Sequence, residues 1–272
     1  MFPTKSFDDG AHRQEQALRH ARVLDAAMTT PGISGVFQWC MFDYATHSDF
    51  GSGDCTCYHG VLDSFRNPKP AAYFYRSQGE DSPVLSIGST FEIGDYPAGI
   101  KGSVYAFTNA DEVKLYKNNC FIQSFRSRDW DSLKHGPVEI SDTIGNLLET
   151  NEGYPPQKAE MVRKCLLAAE HYNSAKLPVM EKIRFSWMKT RCSMDDKEFN
   201  RLYGKYIGNW ENIATKWRFD AIKDGAVVKS VTCSSGGKLH IEATASTYEL
   251  IPSRGLSEFE KEIFILVVRI HT

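Results

Sequence analysis

Gly35-Val36-Phe37-Gln38-Trp39-Cys40-Met41-Phe42-Asp43-Tyr44 is the stretch whose reading decides the fold. Six of its first eight residues are apolar or aromatic, with little alternation. Such a run predicts a strand covered on both faces, as in a parallel sheet walled in by helices, rather than a half-exposed hairpin strand. Polar residues begin where the run stops. Thr46-His47-Ser48-Asp49-Phe50-Gly51-Ser52-Gly53-Asp54 follows, a loop with enough glycine to turn sharply and enough side-chain chemistry to touch a ligand.

The flanks of the run are helical. Asp8 and Asp9 are candidate N-caps for a helix over about 11–28, whose Leu18, Ala21, Leu24 and Met28 recur on one face before Pro31-Gly32 stops it. A second helix is predicted from Pro70 to about Gln78, because proline's fixed φ suits a first turn. Helix, strand and helix make up a piece of an α/β repeat, and one strand cannot close a barrel that needs eight.

Past Gln78 the texture changes. Gly79-Glu80-Asp81-Ser82-Pro83 reads as a linker, and short strands are predicted over 84–89, 102–108, 112–117 and 121–125. Asn118-Asn119 and Lys223-Asp224-Gly225 tolerate the positive φ of tight hairpins. Between them, 155–203 reverts to helical spacing, with Met161, Cys165, Leu166, Ala169 and Tyr172 on one stripe and Ile183, Trp187 and Met188 opening another. An antiparallel β-sandwich with a helical insertion is the expectation, and the strand around Leu239, Ile241 and Ala243 should return to it. Trp130, Trp187, Trp210 and Trp217 are expected to fill sandwich and interdomain cores.

The 272 residues suffice for about two domains, and 42% hydrophobic with 24% charged residues allows an ordinary core. A formal net charge of -2 gives no reason to invoke nucleic acid or an anionic membrane as a partner. No apolar run reaches the roughly 18 residues of a membrane span. A soluble protein of cytoplasm or periplasm is the expectation, without a cofactor. The seven cysteines lack zinc or disulfide spacing and read as free thiols. His47 and His59 have no convincing ligand beside them and read as loop-packing or hydrogen-bonding residues rather than metal ligands. Lys158, Arg163, Lys164 and Lys176 read as a solvated helix face.

The series Trp39-Cys40-Met41-Phe42-Asp43-Tyr44, Thr46-His47, Asp49-Phe50-Gly51-Ser52-Gly53-Asp54, Tyr58-His59-Gly60-Val61 and Phe65-Arg66-Asn67-Pro68-Lys69 closely resembles the last strand and loop of the barrel in β-galactosidase-like members of glycoside hydrolase family 2. The resemblance implies that residues 1–78 are the last part of a (β/α)8 catalytic barrel. It implies that 79–247 are the immunoglobulin-like domain that follows, with its helical insertion, and that 248–272 start a further β-sandwich. Trp39 matches the tryptophan that walls the sugar site, and an indole face suits the C–H groups of a sugar ring.

Asp43 is expected either to hydrogen-bond a sugar hydroxyl or to orient Trp39 and the loops, and His47 and Asp49 complete the substrate-binding set. A retaining glycosidase needs two carboxylic groups about 5 to 5.5 Å apart. By the resemblance these are glutamates on earlier strands, so no catalytic residue is assigned here. Asp43, Asp49 and Asp54 read as turn-formers rather than a substitute pair. The implied partners are a β-galactoside and the N-terminal part of the barrel. A standalone carbohydrate-binding or protein-interaction sandwich is the alternative.

Overall fold

The computed structural model describes the chain except residues 1, 6–7, 48, 50–52, 54, 93–94, 97–98, 129, 173–176, 211–213, 236–239, 250–261 and 272. It is a mixed α/β structure. Helix α1 (Gly10–Thr29) starts on Asp9, whose carboxylate accepts the His12 N–H. Helix α2 (Pro70–Ser77) has proline in its first turn, as predicted. The two pack through Ala17, Leu18, Ala21, Ala71 and Phe74. Met28, expected on the same face, is exposed, because the cluster formed with α2 ends near Leu24.

The strands after α2 form two sheets. β3 (Leu85–Ile87), β4 (Tyr105–Thr108) and β7 (Val138–Glu139) make one antiparallel sheet in the order β3-β4-β7. β5 (Glu112–Lys117), β6 (Cys120–Phe125), β8 (Thr215–Lys223) and β9 (Ala226–Ser235) make the other in the order β6-β5-β8-β9. Asn118 and Asn119, at φ of 49° and 66°, turn the β5–β6 hairpin, and Asp224 and Gly225, at 51° and 79°, turn β8–β9. Positive φ at both central residues matches the twist of paired strands. Leu85, Ala106 and Val138 from the first sheet meet Val113, Leu115, Ile122, Trp217 and Phe219 from the second in one core. Burying these side chains at roughly 1.5–3 kcal/mol each is the main force joining the sheets.

Helices α3 (Leu147–Glu152), α4 (Pro156–His171), α5 (Val179–Arg191), α6 (Asp196–Tyr203) and a π-helical turn, Gly204–Gly208, lie between β7 and β8. They cover the same core with Leu148, Val162, Cys165, Leu166, Met188, Leu202 and Ile207. Two details differ from the sequence reading. The buried stripe of α4 runs through Ala159, Val162, Cys165 and Leu166, leaving Met161 at its margin. On α5 only Met188 is buried, since it lies about 100° around the helix from Trp187, which faces solvent with Ile183. Trp210 is also exposed, so of the four tryptophans expected inside, Trp217 is the one fully buried and Trp130 packs at the edge of the α1–α2 cluster.

The α1–α2 part is fastened to the sheets by side chains of α1. Gln14 donates to the Ser103 carbonyl (2.8 Å) and accepts the Tyr105 N–H (2.7 Å). Asp25 accepts the backbone N–H groups of Asp131, Ser132 and Leu133 and the Ser132 hydroxyl. β10 (His240–Glu249) pairs antiparallel with β11 (Glu262–His271) over its whole length and with neither sheet of the core, contrary to the expected return of this strand to the sandwich. The apolar run 263–268 lies in that ladder. No described helix is long and apolar enough to cross a membrane.

Candidate functional site

The run Gly35–Tyr44 is not the buried strand its composition predicts. Val36, Phe37, Trp39 and Met41 are exposed, Phe37 fully, and the backbone over 33–38 has no secondary structure. A parallel strand needs hydrogen-bonding neighbours along its edges and a cover on each face. Among the described residues this segment finds such neighbours only at its C-terminal end. Phe42 and Leu62 form a parallel bridge, the Val61 and Leu62 N–H groups donate to the Cys40 and Met41 carbonyls, and Asp43 N–H donates to the Leu62 carbonyl. Tyr44–Ala45 (β1) then pairs with Thr56–Cys57 (β2) across the loop.

The four sequence-predicted site residues fall into three settings. Trp39 is 61% exposed, its ring edge-on to Tyr44 at 6.3 Å, and its indole N–H donates to the Tyr44 hydroxyl (3.2 Å). Asp43 is 4% exposed. One of its oxygens accepts the Gly60 N–H (2.9 Å) and the Lys69 ammonium (2.8 Å). His47 and Asp49 stand on the exposed loop and bind each other, with the Asp49 N–H donating to His47 Nδ1 at 3.2 Å. Asp54 lies outside the described residues.

Asp43 and Lys69 form the lock of this region. Lys69, 6% exposed and just ahead of α2, also donates to the Thr4 carbonyl (2.6 Å) and the Tyr58 carbonyl (3.3 Å). One ammonium thus ties the N-terminal segment, the end of the run and the loop before α2. Burial pushes the Asp43 carboxyl above its ordinary value, and the Lys69 charge opposes that shift without cancelling it. Gly60 is required here, because a Cβ would come within 2.3 Å of the Asp43 nitrogen. Of the two roles the sequence leaves open for Asp43, this geometry supports orientation of the loops.

Around the lock, the Cys57 thiol and His59 Nδ1 are 2.8 Å apart, and burial holds the His59 imidazole below its ordinary pKa. Contact with Cys57 holds the Tyr44 phenol above its own. A hollow of 540 Å³ lies between α1 and the run, lined by Phe2, Arg19, His20, Val23 and Gln38. His20, pushed down to about 4 by burial, is neutral there and bonds the Tyr75 hydroxyl. No group of three or more His, Cys, Asp or Glu side chains that could hold a metal occurs among the described residues. The seven cysteines are free thiols. Lys69 was visible in sequence only as the last residue of the Phe65–Lys69 stretch, since nothing local marks a lysine as the counter-ion of an aspartate 26 positions earlier.

No family model matches the chain. A β-galactosidase of Thermoanaerobacterium thermosulfurigenes is 44% identical to it over 149 residues, covering 53% of this chain and 21% of the relative. A β-galactosidase of Rhizobium meliloti is 33% identical over 144 residues, covering 52% and 19%. The chain resembles part of a family 2 β-galactosidase. It spans about a fifth of the length of these relatives. Among solved structures, a β-glucuronidase from glycoside hydrolase family 2 is similar over 90% of this chain and 18% of its own, at 17% identity and a TM-score of 0.46. A β-glycosidase from Bacteroides vulgatus is similar over 84% and 19%, at 16% identity and a TM-score of 0.42.

Proposed function

We propose that this chain is the C-terminal part of a family 2 hydrolase that cleaves terminal β-galactosides, and that residues 1–272 alone do not catalyse the reaction. Residues 1–78 are the last helix, strand and helix of its (β/α)8 barrel. Residues 79–247 are the immunoglobulin-like domain with its helical insertion at about 155–203, and 248–272, of which Glu262–His271 pairs with β10, start a further sandwich. The observation that carries the reading is the 44% identity to a β-galactosidase over 149 residues. The exposed run supports it: Val36, Phe37, Trp39 and Met41 are a strand's worth of apolar side chains without the neighbours a barrel supplies.

In this reading Gly35–Tyr44 becomes a strand when it docks between barrel neighbours, and the 540 Å³ hollow beside α1 is filled by the same docking. Trp39 then presents its indole to the sugar, His47 and Asp49 approach from the loop, and the Asp43–Lys69 lock holds the strand end and loop in register. The two carboxylic groups of the retaining mechanism lie on earlier strands, and the chemistry needs both. The test is co-expression with the N-terminal barrel portion of a related β-galactosidase, assayed on a nitrophenyl β-galactoside. The expected result is no turnover from the 272-residue chain and turnover from the pair. Hydrolysis by the chain alone would overturn the proposal.

A further inference from the structure

Between α4, α5 and the edge of β4 and β7 lies a hollow of 400 Å³. Its size is within the roughly 300–1,000 Å³ of small-ligand sites. Glu139, Glu170, Glu181, Lys164, Arg184 and His171 line it, with Arg184 paired to Glu181 and Lys164 to Glu160. Glu170 is more than nine-tenths buried and fixed by the Thr143 hydroxyl (2.8 Å) and the Lys101 ammonium (2.7 Å). The Tyr172 ring stands edge-on to His171 at 4.4 Å. Among the described residues the Tyr172 hydroxyl and the Glu139 carboxylate have no partner. A second hollow of 300 Å³, lined by Tyr105, Arg126, Arg128 and Trp130, shares Glu139 and Ser141 with the first as a common wall.

The balance of acids and bases opposes a strong preference for either an anion or a cation. It suits a neutral ligand whose groups both donate and accept: a hydroxyl gives its hydrogen to Glu139 and receives one from an N–H that Lys164 or Arg184 keeps beside its pairing with Glu160 or Glu181. The Tyr172 ring, part of the lining, offers apolar contact for the C–H groups of a pyranose. We infer that this junction of sandwich and helical insertion is a second carbohydrate-binding site, and that it takes a neutral oligosaccharide across the Glu139–Ser141 wall. It shares no residue with Trp39 and its loop, and it stands whether or not that region walls a sugar site.

The test is calorimetric titration of the intact 272-residue chain with lactose and with cellotetraose, beside the variants Tyr172→Ala, Glu139→Gln and Trp39→Ala. Saturable binding of at least one sugar is expected, weakened about tenfold by Tyr172→Ala and about fivefold by Glu139→Gln, the worth of one contact each. Trp39→Ala should leave it within about twofold. Glu139 lies on an exposed strand position, so its variant decides the matter even if Tyr172→Ala disturbs the fold. Absence of saturable binding of both sugars up to roughly 50 mM overturns the inference. So does binding that Trp39→Ala abolishes and Glu139→Gln leaves intact.

Discussion

Replacing Lys69 by methionine keeps the length of the side chain and removes its charge. In the wild type, Lys69 and Asp43 are 2.8 Å apart and both more than nine-tenths buried, and the same ammonium serves two carbonyls. Breaking a buried pair from one side costs about 3–5 kcal/mol, because it leaves an uncompensated charge behind. The pH dependence follows from the raised Asp43 pKa. A carboxyl whose folded-state pKa lies above its unfolded value stabilises the fold fully below the unfolded value, and this contribution is lost as pH rises through the folded one. Without Lys69 the folded value climbs further, so the deficit should be largest at neutral pH and shrink toward pH 4 as Asp43 takes up a proton. Urea unfolding at pH 7, 5.5 and 4 measures it, and Lys69→Met combined with Asp43→Asn should recover part of the loss. A deficit under about 1 kcal/mol at pH 7, or one that grows on acidification, would refute the reasoning.

Three other perturbations separate the parts of the molecule. Trp217→Ala should cost about 3–5 kcal/mol, since this indole is 1% exposed in the core shared by the two sheets, whereas Trp39→Ala should stay within about 0.5 kcal/mol by the same urea assay. Asp25→Asn should cost about 1–2 kcal/mol at pH 7 by removing charge from the acceptor of the 131–133 loop. Although desolvation opposes it, hydrogen bonding from that loop holds the Asp25 carboxyl low, so its contribution is present above the unfolded carboxylate value and lost as pH falls through the folded one, where variant and wild type should converge. Glu152, which burial would raise, is brought down to about 2 by Lys205, Tyr206 and Arg201, so wild-type stability should fall between pH 4.5 and 2, with Glu152→Gln lacking that component of the fall.

The local features were legible in the sequence because local chemistry determines them. Asn118-Asn119 and Asp224-Gly225 turn hairpins because those residues accept positive φ whatever surrounds them, and Pro70 starts α2 because its φ is already helical. The alternation in β5 was visible for the same reason, each Val113 and Leu115 facing the core between half-exposed neighbours. Which helix face is buried was less legible. Apolar side chains on α5 point both ways, so the periodicity that marks Trp187 and Ile183 as a stripe cannot tell that Met188 and Phe185 meet the core instead. Candidate site residues could be named from sequence, but not their arrangement. Trp39, Asp43, His47 and Asp49 were all named, but the burial that separates Asp43 from the other three depends on Lys69 and Gly60, distant in sequence.

The failure of the strand at Gly35–Tyr44 follows from the difference between what a run of residues prefers and what it can pair with. Apolar composition favours burial, but a strand's backbone groups must also be satisfied, and that requirement is met from outside the run. Among the described residues the outside partners reach Cys40 to Thr46, through Val61, Leu62, Cys55 and β2, and strand pairing stops where they stop. The Asp43–Lys69 pair sits at that limit. It is a contact wholly between residues 1 and 78, so it can hold the loop end in place while the run beyond it remains open. A variant of Lys69 should therefore loosen the β1–β2 loop as well as lower global stability. Amide exchange at Asp43, Leu62 and Thr46, whose N–H groups bond across this region, would rise together in Lys69→Met. Unchanged protection at those three amides, with global stability lowered, would place the role of the pair in the packing of α2 instead.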